Sequence, residues 1–410
     1  MKEKSDKKQL IIGILIGALV MGIAMLIVVI GVVRKANRTY LQESTFVSTT
    51  DSVLDEETVK KIEQVQSVFD GKSVYDVDNE KLKEGMIDGL VAGSGDVYAE
   101  YLTPEELQDR VSTYNGTIYG IGVLMGPDEN KNVYIHKVYD DSPAEKAGIH
   151  AGDYIIKVDG EDVSSLSLDD IVSRVRGELN TKVVITVYRE DDMAEHDITV
   201  IRGEIPVEVI DYKMLDDEIG YIHIEEWYDT TSGQFEKAYS DLESQNMKAL
   251  VIDLRSNTGG LVKAAVDVLE QFLPPCDVLY IEDNTGKRTY YKAYDSDEID
   301  VPIVILTNAY TASASEIFVG ALKDYDKAVT IGTKTYGKGV VQSFISLYDG
   351  SALKLTTERY FTPSGTALDG NGIDPDIEVE FDSEAYYDEE NPVDNQLEEA
   401  VNYLKDKGGY

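Results

Sequence analysis

The sequence predicts an α/β protein built from a helical segment, a β-rich domain and a larger core in which strands and helices alternate. Three observations predict this class. Apolar residues first recur every three or four positions, short β-rich runs follow, and strand-like and helix-like runs then take turns. At 410 residues, the chain is long enough for two or three domains with separate cores.

Charge and composition exclude several classes of protein. The formal net charge is −39 at pH 7, so a nucleic-acid backbone would be repelled and we expect no nucleic-acid partner. The single cysteine, Cys276, cannot form an internal disulfide and follows two prolines, where a small apolar filler is expected. The four histidines have no metal-ligand spacing. We therefore expect neither a metal site nor another cofactor.

Residues 10–33 form an uncharged apolar run close to the N-terminus. As a helix rising 1.5 Å per residue, it would cross a hydrocarbon core of ~30 Å. A cleaved signal peptide has a shorter apolar core and a small-residue cleavage site, which favours an uncleaved transmembrane anchor. Basic residues flank both ends, so the positive-inside rule only slightly favours an N-terminus inside the cell. We expect a cytoplasmic tail at 1–9, a single-pass anchor in the cell membrane, and the remaining chain outside the cytoplasm.

The remaining segments follow in order. Residues 34–54 are polar and lack periodicity, which predicts a linker, and residues 55–112 are predicted to be helical. Within the latter, Thr103 followed by proline and two glutamates is a helix start. Residues 113–203 predict a compact β-domain with short helices, one of them Leu168–Arg176. Alternating strands and helices over 204–383 predict a core with a mixed sheet, and 384–410 a helical tail.

Two parts of the β-domain indicate peptide binding. Glycines separate a helix, a turn and a strand over Asp141–Gly160, and this stretch resembles a PDZ domain. The segment Tyr119-Gly120-Ile121-Gly122 falls where that family has its carboxylate-binding loop. Glycines free backbone N–H groups for a peptide carboxylate, and a neighbouring strand edge can pair with the peptide. An ordinary tight turn is the alternative for Gly-x-Gly alone.

Ser313 and Lys338 are the candidate reactive pair of the core. Ser313 follows an apolar strand and opens a helix, where unpaired N–H groups could stabilise an oxyanion. A capping box with Glu316, worth ~1 kcal/mol, is an equally good reading of the serine alone. Lys338 lies between two glycines, and burial would have to lower its pKa for it to act as a base. The near-match to a phosphate-binding loop around Lys338 lacks its Ser/Thr and its following helix, which excludes that function.

Three segments in order resemble the carboxy-terminal processing peptidases, or tail-specific proteases, of family S41, most of all their membrane-anchored bacterial members with one PDZ domain. They are Asp253–Gly260, Thr311–Glu316 and Tyr336–Gln342. The resemblance implies a ClpP/crotonase-like protease core and a serine endopeptidase acting on protein C-terminal tails. It implies Ser313 as nucleophile, Lys338 as general base and Gln342 as the residue that orients the lysine. It also implies an oxyanion hole from Ala314 and either Gly259 or Gly260, a choice that the sequence leaves open.

Other residues and readings remain open. The resemblance implies that Arg176 contacts the protease domain when substrate is bound, but a cation at a helix C-terminus is an equally good reading. His223 is predicted to be a packed residue of a strand and not a catalytic base. The family often assembles, which favours a homo-oligomer. Two rival functions are a catalytically silent PDZ scaffold and a crotonase-like acyl-CoA enzyme. One departure from the family is the segment Gly93–Tyr98, which replaces a usual Leu-Gly-Asp-Pro-Tyr.

Overall fold

The computed structural model describes residues 52–128, 131–215, 218–294, 298–388 and 391–408. Two compact units divide the chain, Met1–Leu82 and Lys83–Tyr410. The predicted anchor at residues 10–33 and most of the predicted linker lie outside the described residues. Within the described residues, no helix is both long enough and apolar enough to cross a membrane.

The N-terminal elements are mainly helical, as predicted, with one strand among them. Their bounds are α1 Glu56–Lys72, α2 Asn79–Ala92, β1 Glu100–Leu102 and α3 Pro104–Tyr114. The predicted start of α3 is confirmed, because Glu106 N–H donates to Thr103 Oγ1 at 3.3 Å and Thr103 N–H donates to Glu106 Oε2 at 2.9 Å. The strand β1 is a correction to the all-helical expectation for 55–112. It pairs with a strand of the core, so long-range hydrogen bonding decides its structure.

The next elements form the β-domain. They are β2 Thr117–Gly120, β3 Val123–Pro127, β4 Val133–Val138, α4 Pro143–Ala147, β5 Tyr154–Val158, β6 Glu161–Asp162, α5 Leu168–Val175, β7 Lys182–Arg189, β8 Ala194–Ile201 and β9 Gly203–Pro206. Its main sheet is antiparallel in the order β3-β4-β5-β7-β8, which leaves β3 at one edge. Buried aliphatic side chains such as Ile135, Ile171 and Ile185 fill its core.

The remaining elements form the α/β core. They are β10 Ile210–Met214, β11 Ile219–Ile224, α6 Thr231–Ser244, β12 Ala249–Asp253, α7 Val262–Leu269, β13 Cys276–Asp283, β14 Arg288–Ala293, β15 Ile303–Thr307, α8 Ala314–Asp324, β16 Val329–Gly332, β17 Val340–Ser346, β18 Ala352–Phe361, β19 Ile377–Glu378, α9 Ser383–Tyr386 and α10 Asn395–Gly408. The predicted mixed α/β class is confirmed. One sheet runs β10-β11-β12-β15-β16-β19, with β10 antiparallel and the other pairs parallel.

Both faces of this central sheet are buried. Strand side chains alternate between the faces, and those on one face pack with residues of α6, α7 and α8. Those on the other face pack with Ala400 and Leu404 of α10. This explains why β12 and β15 are entirely apolar or buried along their length, as is usual for parallel strands covered on both sides.

A second sheet contains β1, β18, β13 and β14 in that order, with β17 paired to β18. The sequence analysis assigned no elements to the β13–β14 hairpin, which carries many tyrosines and charged residues. Cys276 begins β13 and is half-buried, which fits the filler predicted for it. Strand β18 pairs with both β1 and β17, and β17 begins two residues after Lys338.

Candidate active site

Three loops meet at one edge of the central sheet. They follow β12, β15 and β16, which are parallel and adjacent, so their carboxyl ends lie together. The first carries the two candidate oxyanion glycines, the second Ser313 and the third Lys338. Main-chain bonds join them: Ala312 N–H donates to Asn257 O at 3.0 Å, and Tyr336 N–H donates to Thr311 O at 3.0 Å. The fold thus brings together segments that are 25 to 80 residues apart in the chain.

Ser313 is the N-cap of α8 and has an unusual backbone conformation. Its φ of 57° and ψ of −118° lie where side-chain-bearing residues rarely occur, and such strain is concentrated at functional turns. The residue is half-buried, between buried Ala312 and Ala314. The glutamate of the predicted capping box is engaged, because Ser313 N–H donates to Glu316 Oε2 at 2.9 Å. Helix capping and a reactive role therefore coexist at this serine.

Asn257 holds the glycine loop in place. It is fully buried, donates through Nδ2 to Ile224 O at 2.8 Å, and accepts Gly259 N–H at 2.9 Å. A Cβ added to Gly259 would lie 2.8 Å from Ser313 Cβ, so this glycine permits close contact with the serine. Among the described residues, no group accepts the N–H of Gly260 or of Ala314. Those two amides remain available beside Ser313.

Lys338 is more than half-buried in a loop that requires its glycines. A Cβ on Gly339 would lie 2.1 Å from Asp369 N, and one on Gly337 would lie 2.9 Å from Gly372 N. These two glycines therefore allow a close approach of two backbones. Burial lowers the pKa of Lys338, the Lys354 cation lowers it further, and the charge of Glu316 opposes both.

The Lys338 ammonium lies against an aromatic ring. Its Nζ lies 4.6 Å from the centroid of the Tyr98 ring, a cation–π contact. Tyr98 belongs to the segment Gly93–Tyr98 that departs from the family pattern, and the sequence analysis gave it no role. No hydrogen bond joins Nζ to Ser313 Oγ within the described part of the chain. The contact that the structure records for the lysine ammonium is thus with the Tyr98 ring.

Gln342 lies on β17, four residues after Lys338, and makes a different contact from the one predicted. Its Nε2 donates to Thr356 Oγ1 at 3.4 Å, and Thr356 Oγ1 in turn donates to Asp96 at 3.1 Å. Burial raises the pKa of Asp96, but hydrogen bonds from Thr356 and Tyr98 outweigh this and lower it. Gln342 is thus linked through Thr356 to Asp96 of the Gly93–Tyr98 segment. Its predicted role in orienting Lys338 stays a prediction.

The candidate peptide-binding loop lies between two strands of the β-domain. Tyr119 and Gly120 end β2, whereas Ile121 and Gly122 precede the edge strand β3. The carbonyl of Ile121 accepts the N–H of Ala144, and the carbonyl of Gly122 accepts the N–H of Tyr139. No described residue accepts the N–H of Ile121 or of Gly122. An exposed strand edge beside two available amides is the arrangement that binds a peptide C-terminus.

Arg176 and Arg202 occupy opposite environments at the end of α5. Arg176 is exposed, and no side-chain bond to it occurs within the described residues. Arg202 is buried, and its guanidinium donates to Val175 O at 2.9 Å and Arg174 O at 2.9 Å, the last carbonyls of the helix. Nothing in the sequence indicated this role for Arg202, because it lies between β8 and β9, 27 and 28 residues after the carbonyls that it caps.

One group of side chains away from these loops has the composition of a metal site. Potential ligand atoms of Asp211 on β10, His223 in β11 and Glu225 directly after β11 lie within 4.8 Å of one another. Both carboxylates are exposed and His223 is half-buried. The prediction of no metal site rested on sequence spacing, which does not detect a group assembled across two strands.

Models of three known domains match this chain. The model of peptidase family S41 matches residues 218–379, the PDZ domain model residues 134–189, and the model described as the activating protease CtpB N-terminal domain residues 14–106. The S41 match contains Ser313, Lys338 and both glycines. The PDZ match contains β4 to β7 and starts after the candidate carboxylate-binding loop.

Several known proteins are similar over most of the chain. A protein named "Probable CtpA-like serine protease" from Staphylococcus aureus strain N315 is 37% identical over 330 residues, covering 80% of this chain and 66% of the relative. The protein of that name from Staphylococcus saprophyticus is 36% identical, covering 78% and 65%. This chain spans just under two thirds of the length of these relatives. Among solved structures, the photosystem II D1 C-terminal processing protease is 27% identical, with a TM-score of 0.46 over 80% of this chain and 94% of that one.

Proposed function

This chain belongs to peptidase family S41, a family of serine-type proteases, and from that premise we propose that it is a serine endopeptidase that cuts proteins held by their C-terminal tails. Ser313 is the nucleophile and Lys338 is its general base. One observation carries the proposal. Three loops bring a strained serine, two available amides and a lysine of lowered pKa to one edge of a sheet.

The chemistry needs a lysine that is neutral at working pH. The Lys338 amine takes the hydroxyl proton of Ser313 while Oγ attacks the peptide carbonyl carbon, and it then gives that proton to the leaving amine. The resulting ester between Ser313 and the substrate is hydrolysed by water. Burial of Lys338 favours its neutral form and so supports this role.

The oxyanion that forms during attack needs N–H donors. The Gly259 amide is already bonded to Asn257, whereas those of Gly260 and Ala314 have no acceptor among the described residues. We therefore assign the oxyanion hole to Gly260 and Ala314, with Gly259 as the residue that lets the two backbones approach. The partial positive charge at the N-terminus of α8 also stabilises the oxyanion.

Substrate selection is assigned to the PDZ domain. The amides of Ile121 and Gly122 bind the terminal carboxylate of an unstructured tail, and the tail pairs with the edge of β3. Tyr119 and Gly120 complete the loop. Arg176, which is exposed at the end of α5, contacts the protease domain when the tail is bound.

We propose in addition that residues 10–33 anchor the protein in the cell membrane, with residues 1–9 in the cytoplasm and the PDZ and protease domains outside it. The length and the lack of charge of that run support the proposal. Protease digestion of intact cells tests the orientation, because an extracytoplasmic PDZ domain would be cut. Extraction of the full chain by alkaline carbonate would contradict the anchor.

The activity is tested on the full chain in detergent, with an unstructured protein that ends in an apolar tail as substrate. We expect the wild type to cleave it and Ser313→Ala to have no activity, with a melting temperature within a few degrees of the wild type. Retained cleavage by Ser313→Ala would refute the assignment of the nucleophile. Cleavage by neither protein, combined with tight binding of the tail, would favour a PDZ scaffold without catalytic activity.

A further inference from the structure

Glu316 lies at the junction of the serine loop and the lysine loop. It is on the first turn of α8, three residues after Ser313, and its exposed fraction is 0%. No ion pair involves it within the part of the chain that the structure describes. A buried carboxylate is costly unless hydrogen bonds satisfy it, so its partners matter.

Four donors surround this carboxylate. Oε1 accepts the Thr335 hydroxyl at 2.6 Å and Gly337 N–H at 2.7 Å. Oε2 accepts Ser313 N–H at 2.9 Å and Lys338 N–H at 2.9 Å. The Thr335 hydroxyl accepts Ile373 N–H at 2.7 Å, so its own proton is directed to Glu316. All four partners donate, which satisfies both oxygens of a carboxylate.

A single oxygen atom therefore bonds the backbone N–H of both proposed reacting residues. A capping box explains the bond to Ser313 but not the other three, which come from a loop 19 to 22 residues later. A helix cap alone would also not need full burial. The arrangement fixes the distance between the backbones of Ser313 and Lys338, whichever rotamer the lysine side chain adopts.

We propose that Glu316 is a positioning residue for the serine–lysine pair: its Oε2 bridges the two backbones and sets the separation across which the proton moves. The inference rests on the proposed function. It adds a carboxylate that does not touch the substrate but acts through the two residues that react. A misplacement of about 1 Å between reacting groups costs on the order of 10²-fold in rate.

The charge of Glu316 gives this role a distinct signature. The groups that face Lys338 are Glu316 from α8, Lys354 from β18 and the Tyr98 ring from the segment Gly93–Tyr98. Glu316 raises the pKa of Lys338, so removing its charge lowers that pKa. The rate rises with pH as Lys338 loses its proton, and the rising limb would therefore move to lower pH.

The test compares wild type, Glu316→Gln and Thr335→Val as full chains in detergent, using peptide cleavage and labelling of Ser313 by a fluorophosphonate. For Glu316→Gln we expect kcat to fall about 10²-fold, with KM within about threefold of the wild type because the PDZ loop is untouched. The rising limb of kcat against pH should move to lower pH. Thr335→Val leaves both bonds to Oε2 in place, so its kcat should stay within about tenfold of the wild type.

Three outcomes would overturn the inference: a kcat for Glu316→Gln near that of the wild type, an unmoved rising limb despite a low kcat, or equal losses in the two variants. If Glu316→Gln does not fold, the variant Glu316→Asp tests the proposal in its place. It keeps the charge but shortens the reach, so we expect at least a tenfold loss of kcat with the limb in place, and a wild-type rate would overturn the proposal. A wild type that neither cleaves nor is labelled would instead refute the proposed function.

Discussion

The loop glycines of the protease core and Gly120 of the PDZ loop differ in the space around them. At Gly260 an added Cβ would lie 2.3 Å from the carbonyl oxygen of Trp227, and at Gly339 one would lie 2.1 Å from Asp369 N. At Gly120 of the PDZ loop an added Cβ would meet nothing within 4 Å. The protease glycines let backbones pack against each other, whereas buried Gly120 has room for a side-chain carbon. Its neighbour Gly122 does not, because an added Cβ there would lie 2.5 Å from Ser142 Cβ. The fold should therefore tolerate a substitution at Gly120 better than one at Gly260 or Gly339.

The largest effect that separates the two regions is expected from Lys338→Ala. Loss of the general base should lower kcat by roughly 10²- to 10⁴-fold and leave the affinity for a C-terminal tail unchanged. Lys334→Ala is the matched control, because Lys334 is in the same loop, is 53% exposed and pairs only with Asp374 among the described residues. Steady-state kinetics and peptide binding measured by fluorescence anisotropy check this. A similar loss of rate in both variants would argue against a specific role for Lys338.

A pair of identical substitutions compares the regions directly. Gly260→Ala must move the Trp227 backbone and adopt a φ of 133°, so we expect a loss of about 1–3 kcal/mol in the free energy of unfolding. Gly120→Ala has space and a permitted backbone, so its stability should match the wild type. Urea denaturation measures both. The Gly120→Ala variant should bind a tail more weakly, because the new methyl group occupies space beside the peptide-binding loop. Equal losses of stability in Gly260→Ala and Gly120→Ala would contradict the expected difference between the two regions.

The smallest effect is expected from Tyr98→Ala, which sharpens the description of the lysine site. The Tyr98 ring covers the Lys338 ammonium, and burial is the main cause of that lysine's lowered pKa. Without the ring, the pKa of Lys338 should rise toward its ordinary 10.5, and the rising limb of kcat against pH should move to higher pH. Tyr98→Phe keeps the ring and serves as the control. A shift to lower pH in Tyr98→Ala would mean that the ring favours the charged lysine.

The sequence predicted local structure and reactive residue types better than it predicted contacts. Strands β11, β16 and β17 lie in the region 204–383 for which alternating strands and helices were predicted, because each is a short apolar or β-branched run between turn residues. The capping motif correctly indicated that Glu316 reaches back to Ser313. It could not indicate the bonds to the lysine loop, since those depend on β15 and β16 being neighbours in the sheet.

Other features were not predictable for the same reason. The positions of β1 and Tyr98 depend on pairing with β18, which is some 250 residues away in the chain. The Gly93–Tyr98 segment was interpreted only as a departure from a pattern, although its Asp96 and Tyr98 contact Thr356 and Lys338. The interaction of Gln342 with Lys338 stays a prediction, and in the structure the Gln342 Nε2 donates to Thr356 Oγ1.

The main-chain bonds of Glu316 have a practical consequence for finding substrates. Because Oε2 holds the amides of Ser313 and Lys338 and not their side chains, replacing either side chain leaves the loops tied together. A Ser313→Ala protein should thus keep an intact cleft and an intact PDZ domain while being unable to cut the proteins that it binds. Expressed in living cells with a photo-crosslinking amino acid near β3, such a variant would retain bound proteins for identification by mass spectrometry.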